Sequence, residues 1–348
     1  MVVIGSGQYI SSFSEDADGE LYVLRVESNE IHRLVPAGAP VPSTFPDWLS
    51  ETGCVDPTDE HQPASGMIPY GVNHALWSDG AAKGRYLALP DGATIDVDAD
   101  GDMDLPIGSV VMKHFWVGGA YVETRLLMRH DDGAWAGYSY EWNQAQTDAA
   151  LLPQAGKRRV LPNGQTWVFP SRNGCLSCHT AAAGRTLGLE LAQQNRDFAY
   201  DAESCGNQLT TWDAIGLFTS ALPGPVASLP ALAAVDDAAA SAEARARAVL
   251  HVNCSMCHRP NGGGGGNADL RVQTALAATN LCDVDPQEGD LGVNGAKLLM
   301  PGDPARSLVS VRMRRTGAGR MPKLGSLMVD PLGTAAIDAF ITGLAACP

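Results

Sequence analysis

The chain is short of three things. Aromatic residues make up only 6 % of its 348 positions, positive charge is outnumbered (24 Lys and Arg against 39 Asp and Glu, net −15), and no long apolar run occurs. Each shortage excludes something. Scarce aromatics beside 38 Gly and 22 Pro imply extensive loops and turns. An acidic surface is the wrong sign for a nucleic-acid partner. Apolar runs far below the ~20 residues of a membrane-spanning helix leave no transmembrane segment. The opening Met1-Val2-Val3-Ile4-Gly5 also lacks the basic start and apolar core of a secretory signal, so the expectation is a truncated N-terminus whose export signal lies upstream.

Against this background stand eight cysteines. Four of them form two copies of one pentapeptide, Cys175-Leu176-Ser177-Cys178-His179 and Cys254-Ser255-Met256-Cys257-His258. C-x-x-C-H is the attachment signature of c-type haem. Each sulfur adds to one porphyrin vinyl group, one helical turn lets both reach, and the next histidine is placed to coordinate iron. A single copy could be a redox Cys-x-x-Cys; two copies point to two covalent haems. For the second haem the opposite ligand is expected from Met321, because Gly319-Arg320-Met321-Pro322 fixes a rigid loop rather than a helix face. A thioether there raises the reduction potential. Met300, Met313 and Met328 compete with it. For the first haem no such loop follows. His114 is the expected distal ligand, with Met128, Met112, His130 and His74 behind it and an open iron as the further alternative.

The even remainder, Cys54, Cys205, Cys282 and Cys347, suggests two disulfides, since haem attachment takes place in an oxidising compartment. Cys282 is expected to pair with Cys347, both in the C-terminal haem region, which leaves Cys54 with Cys205 by elimination. The expected location is periplasmic or extracellular.

In chain order, residues 8–36 read as short alternating strands separated by Asp18-Gly19 and Ser28-Asn29, and a Pro-rich connector runs from Pro36 to Pro46. From 66 to 170 short β-type runs alternate with turns. The runs 109–116 and 121–129, joined by Val117-Gly118-Gly119-Ala120, predict a hairpin. The expected fold is therefore α+β: a β-rich sandwich or barrel-like domain over 46–220 bearing the first haem, a linker over 221–240, and an all-α domain over 241–348 bearing the second. Leu187 to Phe198 is expected to be a helix covering a haem edge. Ser241 should cap a helix that delivers Cys254 to His258, and a last helix from Pro331 to Leu344 should pack on it. Asp96, Asp98, Asp100 and Asp104 are spaced around Gly101 as a Ca²⁺ site requires, although Ile107 stands where an EF-hand needs Glu. Arg312, Arg314, Arg315, Arg320 and Lys323 cluster around the methionine loop, where they could steer an acidic partner or pair with haem propionates.

Residues 241–348 resemble a class I cytochrome c domain, through Cys254, Cys257, His258, Met321-Pro322 and the terminal helices. Over about 45–348 the chain resembles a family of bacterial dihaem c-type cytochromes. That resemblance rests on Tyr70-Gly71-Val72-Asn73-His74-Ala75-Leu76-Trp77-Ser78-Asp79-Gly80, on Val122 to Leu126, on Tyr140 to Asn143, on Gln194 to Phe198 and on Gly302-Asp303-Pro304. Residues 8–36, with Asp16-Ala17-Asp18-Gly19 and Leu21-Tyr22-Val23, resemble the last strands of sugar dehydrogenase-type β-propellers that use pyrroloquinoline quinone. The resemblance implies electron transfer between redox partners, with a dehydrogenase, such as a quinone-dependent one, as donor. A dihaem peroxidase-like enzyme with an open first haem is the alternative, and an accessory binding module a third.

Overall fold

A computed structural model describes residues 10–25, 30–35, 44–201 and 203–348. The turn expected at Ser28-Asn29 and residues 36–43 of the Pro-rich connector lie outside the described residues. The chain divides into two compact units, Met1–Asp47 and Trp48–Pro348. In the first, Ile10–Glu15, Leu21–Arg25 and Glu30–Arg33 form an antiparallel meander. Its first turn is built by the Asp16 carboxylate, which accepts the amides of Asp18 and Glu20.

In the second unit the main element is a six-stranded antiparallel sheet. Its spatial order is Ala149–Leu151, Trp135–Trp142, Ala120–Arg129, Val110–Val117, Ala82–Ala88 and Ile68–Pro69. The hairpin expected at its centre is present. Val117 pairs with Ala120, and Gly118 and Gly119 both have positive φ (60° and 86°), as a two-residue turn between twisted strands demands. The order is linear, so the sheet is open rather than a closed barrel, and no second sheet of similar size faces it among the described residues. Loops and short helices cover it instead: Leu87 packs with Ile95, Met103, Leu105, Leu189 and Trp212. On the other face, the His61 ring stacks on Trp142 with centroids 4.9 Å apart.

The helices Ala242–Cys254 and Pro331–Gly343 pack on each other as expected, through Ala246, Val249, Leu250, Ile337, Phe340 and Ile341. Ser241 accepts the Ala244 amide and Asp330 the Gly333 amide, so each helix begins with a satisfied cap. Cys282 and Cys347 form the expected disulfide across this bundle. The other expected bridge is absent: Cys54 is a buried free thiol and Cys205 an exposed one. Elimination paired them, but burial on one side and exposure on the other leave them without a shared surface.

The helix expected over 187–198 shrinks to Leu191–Gln194, followed by a strand Asp197–Ala199. Gly188 has φ +85°, which a helix cannot include. Asn73 Nδ2 then takes the carbonyls of Ala192 and Asn195, ending the turn. Within 221–240 the chain is anchored rather than free, since Leu232 donates its amide to Ala192 and is buried against Ala192 and Ala248. No described helix is long and apolar enough to cross a membrane.

Candidate haem-binding site

Each C-x-x-C-H motif lies at the end of a helix, as one-turn spacing requires. Arg172–Cys178 starts with Ser171 accepting the Gly174 amide and delivers Cys175, Cys178 and then His179. Cys175 sits against Gly137 of the sheet, where a Cβ would come within 2.7 Å of it, so only glycine fits opposite this cysteine. Ala242–Cys254 delivers Cys254, and Cys257 and His258 follow in the next turn, closed by the His258 amide donating to the Cys254 carbonyl at 3.0 Å. Gly262 and Gly264 let the following loop turn back on this motif. A Cβ on Gly264 would lie 2.9 Å from His258 Nδ1.

The four motif cysteines are free thiols, and none is bonded to its neighbour. Burial pushes Cys178 up to about 11 and Cys254 up to about 12, and raises Cys175 and Cys257 as well. A redox Cys-x-x-Cys needs the opposite, a thiol held low by neighbouring positive charge. The electrostatics are those of buried thiols and not of an activated redox dithiol.

The two motifs meet. Cys257 Sγ lies 4.0 Å from the Ser177 carbonyl oxygen, and Arg259 donates to the Ala182 carbonyl at 2.9 Å. Beside them opens a cavity with about 1160 Å³ of space free of protein atoms, mouth included. His179 faces it, between the sheet (Arg85, Val111, Lys113, Phe115, Arg125, Leu127), the segments Tyr70 to Leu76 and Ala183 to Glu190, and the turn from His251 to Arg259. His179 is half-buried, and desolvation of its ring is the chief cause that pushes it down to about 4. Its Nδ1 donates to the Arg185 carbonyl at 2.5 Å, which leaves the Nε2 lone pair as the one that could ligate a metal.

The residues expected opposite His179 fare differently. His114 is on the face of the sheet turned away from the cavity, because residues alternate along a strand and Val111, Lys113 and Phe115 take the cavity side. Its Nδ1 meets Thr124 Oγ1 at 2.6 Å, and its ring packs edge-on to Tyr86, Tyr121 and Trp142. His114 is therefore not placed to meet an iron held by His179. Met112 shares its face, and His130 is engaged by the Tyr138 hydroxyl at 2.9 Å. Of the five sequence candidates only His74 lines the cavity, with Nδ1 3.1 Å from the Ala233 carbonyl.

On the side of the second motif, Lys323 and Arg312 lie close enough to His258 to push its pKa down beyond the effect of burial. Met321 donates its amide to the Arg312 carbonyl, so the loop bearing the expected thioether belongs to the same region. The arginine cluster has an internal role. Arg312 holds the carbonyls of Gly319, Glu288 and Gly289, Arg315 those of Ala318 and Leu291, and Arg320 those of Ser326 and Met328. Arg314 pairs with Asp338. These donors brace the methionine loop, and Arg314 is the member of the cluster whose charge an acid offsets.

The proposed Ca²⁺ carboxylates do not converge. Asp98 accepts the amides of Asp100 and Asp102, Asp100 pairs with Arg271 at 3.1 Å, and Asp104 pairs with Arg129 at 2.9 Å, while Asp96 opposes Asp104 across a two-residue ladder. Among the described residues no group of three His, Cys, Asp or Glu is arranged to hold a metal ion. The acidic run is a turn stitched to its surroundings.

Sequence reasoning missed a buried pair at the cavity wall, His251 Nε2 and Glu190 at 2.9 Å. Beside it Asp102 is pushed up to about 6, first by burial and then by Glu190 and Asp98. Because the folded value exceeds the unfolded one near 3.8, this carboxyl's contribution is fully present below about pH 4 and lost as pH rises to about 6. Asp102→Asn should remove that loss: measured by urea unfolding at pH 4 and pH 7, the variant should gain up to about 2 kcal/mol on wild type at the higher pH only.

Compared with protein-family models, curated proteins and solved structures, the chain matches none.

Proposed function

We propose that this chain is a dihaem c-type cytochrome that relays electrons between a redox donor, such as a dehydrogenase, and a downstream acceptor in an oxidising compartment outside the cytoplasm. The observation that carries this reading is the contact between the two C-x-x-C-H turns at Cys257 and Ser177. Two unrelated dithiols have no reason to be brought together from positions so far apart in the chain. Two electron carriers do, since transfer is fast only over short gaps. A c-type haem supplies reversible one-electron chemistry when bound. The chain's own part is to fix it: Cys175 and Cys178 with His179, and Cys254 and Cys257 with His258 and Met321. The Arg185 carbonyl orients the His179 ring, and the braced 319–328 loop presents Met321. The Cys282–Cys347 disulfide agrees with an oxidising compartment.

The mass of the protein, expressed with haem-attachment machinery and exported, tests the reading. Two porphyrins should be retained under denaturing conditions. Cys175→Ala/Cys178→Ala should lose one of them, and Cys254→Ala/Cys257→Ala the other. A mass without bound porphyrin sinks the proposal. The cavity beside His179 favours a second reading, small-ligand chemistry at the first haem, because it contains no methionine-loop ligand and only one of the expected histidines. Cyanide separates the two: an unchanged spectrum supports pure electron transfer, and a shifted one supports an exchangeable position at the first haem.

A further inference from the structure

Three cations stand in one row across the sheet. Lys113 is directly opposite Arg85 on one neighbouring strand and Arg125 on the other, all three on the face that floors the cavity. Adjacent strands are about 4.8 Å apart, so the row spans roughly 10 Å. Like charges directly opposed across strands repel. Arg125 is compensated, since the Glu123 carboxylate holds it with two bonds of 2.8 Å. Among the described residues, Lys113 and Arg85 make no side-chain hydrogen bond and no ion pair with an acid. Lys113 stands over the Phe115 ring, 5.3 Å away, and feels the Glu123 charge without touching it. A fourth cation, Lys83, stands next to the row and gives its amine to the Leu76 carbonyl at 2.7 Å. In a chain with a net charge of −15, uncompensated cations facing a cavity mark where negative charge from outside the chain belongs.

We propose that Arg85 and Lys113 form a seat for a carboxylate or comparable small oxyanion on the floor of the cavity beside His179. Two sources share that chemistry, the carboxylates of a porphyrin anchored at Cys175 and Cys178, and a free anion entering the cavity. The first source rests on the dihaem reading; the seat itself does not. Burial first, and then the neighbouring cations, push Lys113 well down. Arg125 lies toward the cysteines and Arg85 lies at the far end of the row, toward Tyr70. The row thus runs away from the anchoring edge.

The experiment uses the full chain and the variants Lys113→Met, Arg85→Met and Lys113→Arg, with sodium formate as probe. Midpoint potentials of both haems are read by spectroelectrochemistry and formate binding by calorimetry. Removing either positive charge should move the first haem's potential to lower values and leave the second in place, and Lys113→Arg should restore it. A lowered potential of the first haem in the Met variants, with formate silent in wild type, assigns the seat to the porphyrin's own carboxylates. Saturable formate binding in wild type that weakens at least tenfold in Lys113→Met assigns it to a free anion. Should the protein retain no porphyrin at Cys175 and Cys178, formate binding lost in Lys113→Met still supports the seat while the dihaem reading fails. Unaltered potentials together with no formate binding overturn the proposal. Folding is checked by thermal melting, where Lys113→Met should be no less stable than wild type, because it removes an uncompensated charge.

Discussion

Replacing Glu123 by leucine should destabilise the second unit by about 3–5 kcal/mol, the range for breaking one side of a buried ion pair. Glu123 is fully buried, and its two oxygens take Arg125 Nε and Nη2 at 2.8 Å and the Trp167 indole at 2.9 Å. It is also the acid that offsets the cation row. Without it Arg125 joins Lys113 and Arg85 as an uncompensated charge, and the indole loses its acceptor. Glu123→Gln should lose less, because an amide oxygen still accepts. The double variant Glu123→Leu/Arg125→Met should recover most of the loss, since two apolar groups of similar volume replace a pair rather than orphan half of it. Urea unfolding midpoints measure all three. A double variant as unstable as Glu123→Leu would show that packing, not charge, sets the effect.

How much of this was legible in the sequence follows the range of the interactions. The Gly118-Gly119 hairpin and the capped helices at Ser241 and Asp330 rest on contacts a few residues long, and patterns of that length are written in the local sequence. The Cys282–Cys347 bridge was reached because both cysteines belong to one helical region. Period-two alternation placed Met112 and His114 on one face but could not say which face meets the cavity. That depends on the Arg172–Cys178 helix landing against Gly137, a contact set far along the chain. The acidic run 96–104 has the composition of a Ca²⁺ loop. Its carboxylates are drawn instead to Arg129 and Arg271, which no spacing rule reveals. The cation row was only half written in the sequence: Lys83 and Arg85 alternate along one strand, but a hairpin closed at 117–120 sets Lys113 opposite Thr124, and it is the bulge between Phe115 and Trp116 that brings Arg125 opposite Lys113. Basic residues on the inner face of strands in an acidic chain need a partner, and that need was visible before the structure.

Asp79→Ala should cost about 3 kcal/mol and loosen the methionine loop specifically. Asp79 is 4 % exposed, and its carboxylate accepts the amides of Leu327 and Met328 at 2.8 to 2.9 Å. Hydrogen bonds to a charged acceptor contribute about 1.5–3 kcal/mol each, and removing the acceptor strands the donors. The residue itself has φ 52°, a left-handed turn that aspartate tolerates and most residues do not, so alanine adds backbone strain to the lost bonds. The same turn brings Trp77, whose indole donates to the Met328 carbonyl at 3.1 Å and whose amide donates to Asn253 in the helix that leads to Cys254. The stretch Trp77-Ser78-Asp79 is thus a clasp that fastens the β-rich part to both sides of the second C-x-x-C-H motif. Hydrogen exchange at the Leu327 and Met328 amides should accelerate in Asp79→Ala while exchange in the central hairpin stays at its wild-type rate. Under the proposed dihaem reading, the spectral signature of a methionine ligand should weaken at the second haem alone. If those amides kept their protection, Arg320, which also grips Ser326 and Met328, would be sufficient to hold the loop, and the clasp would be redundant.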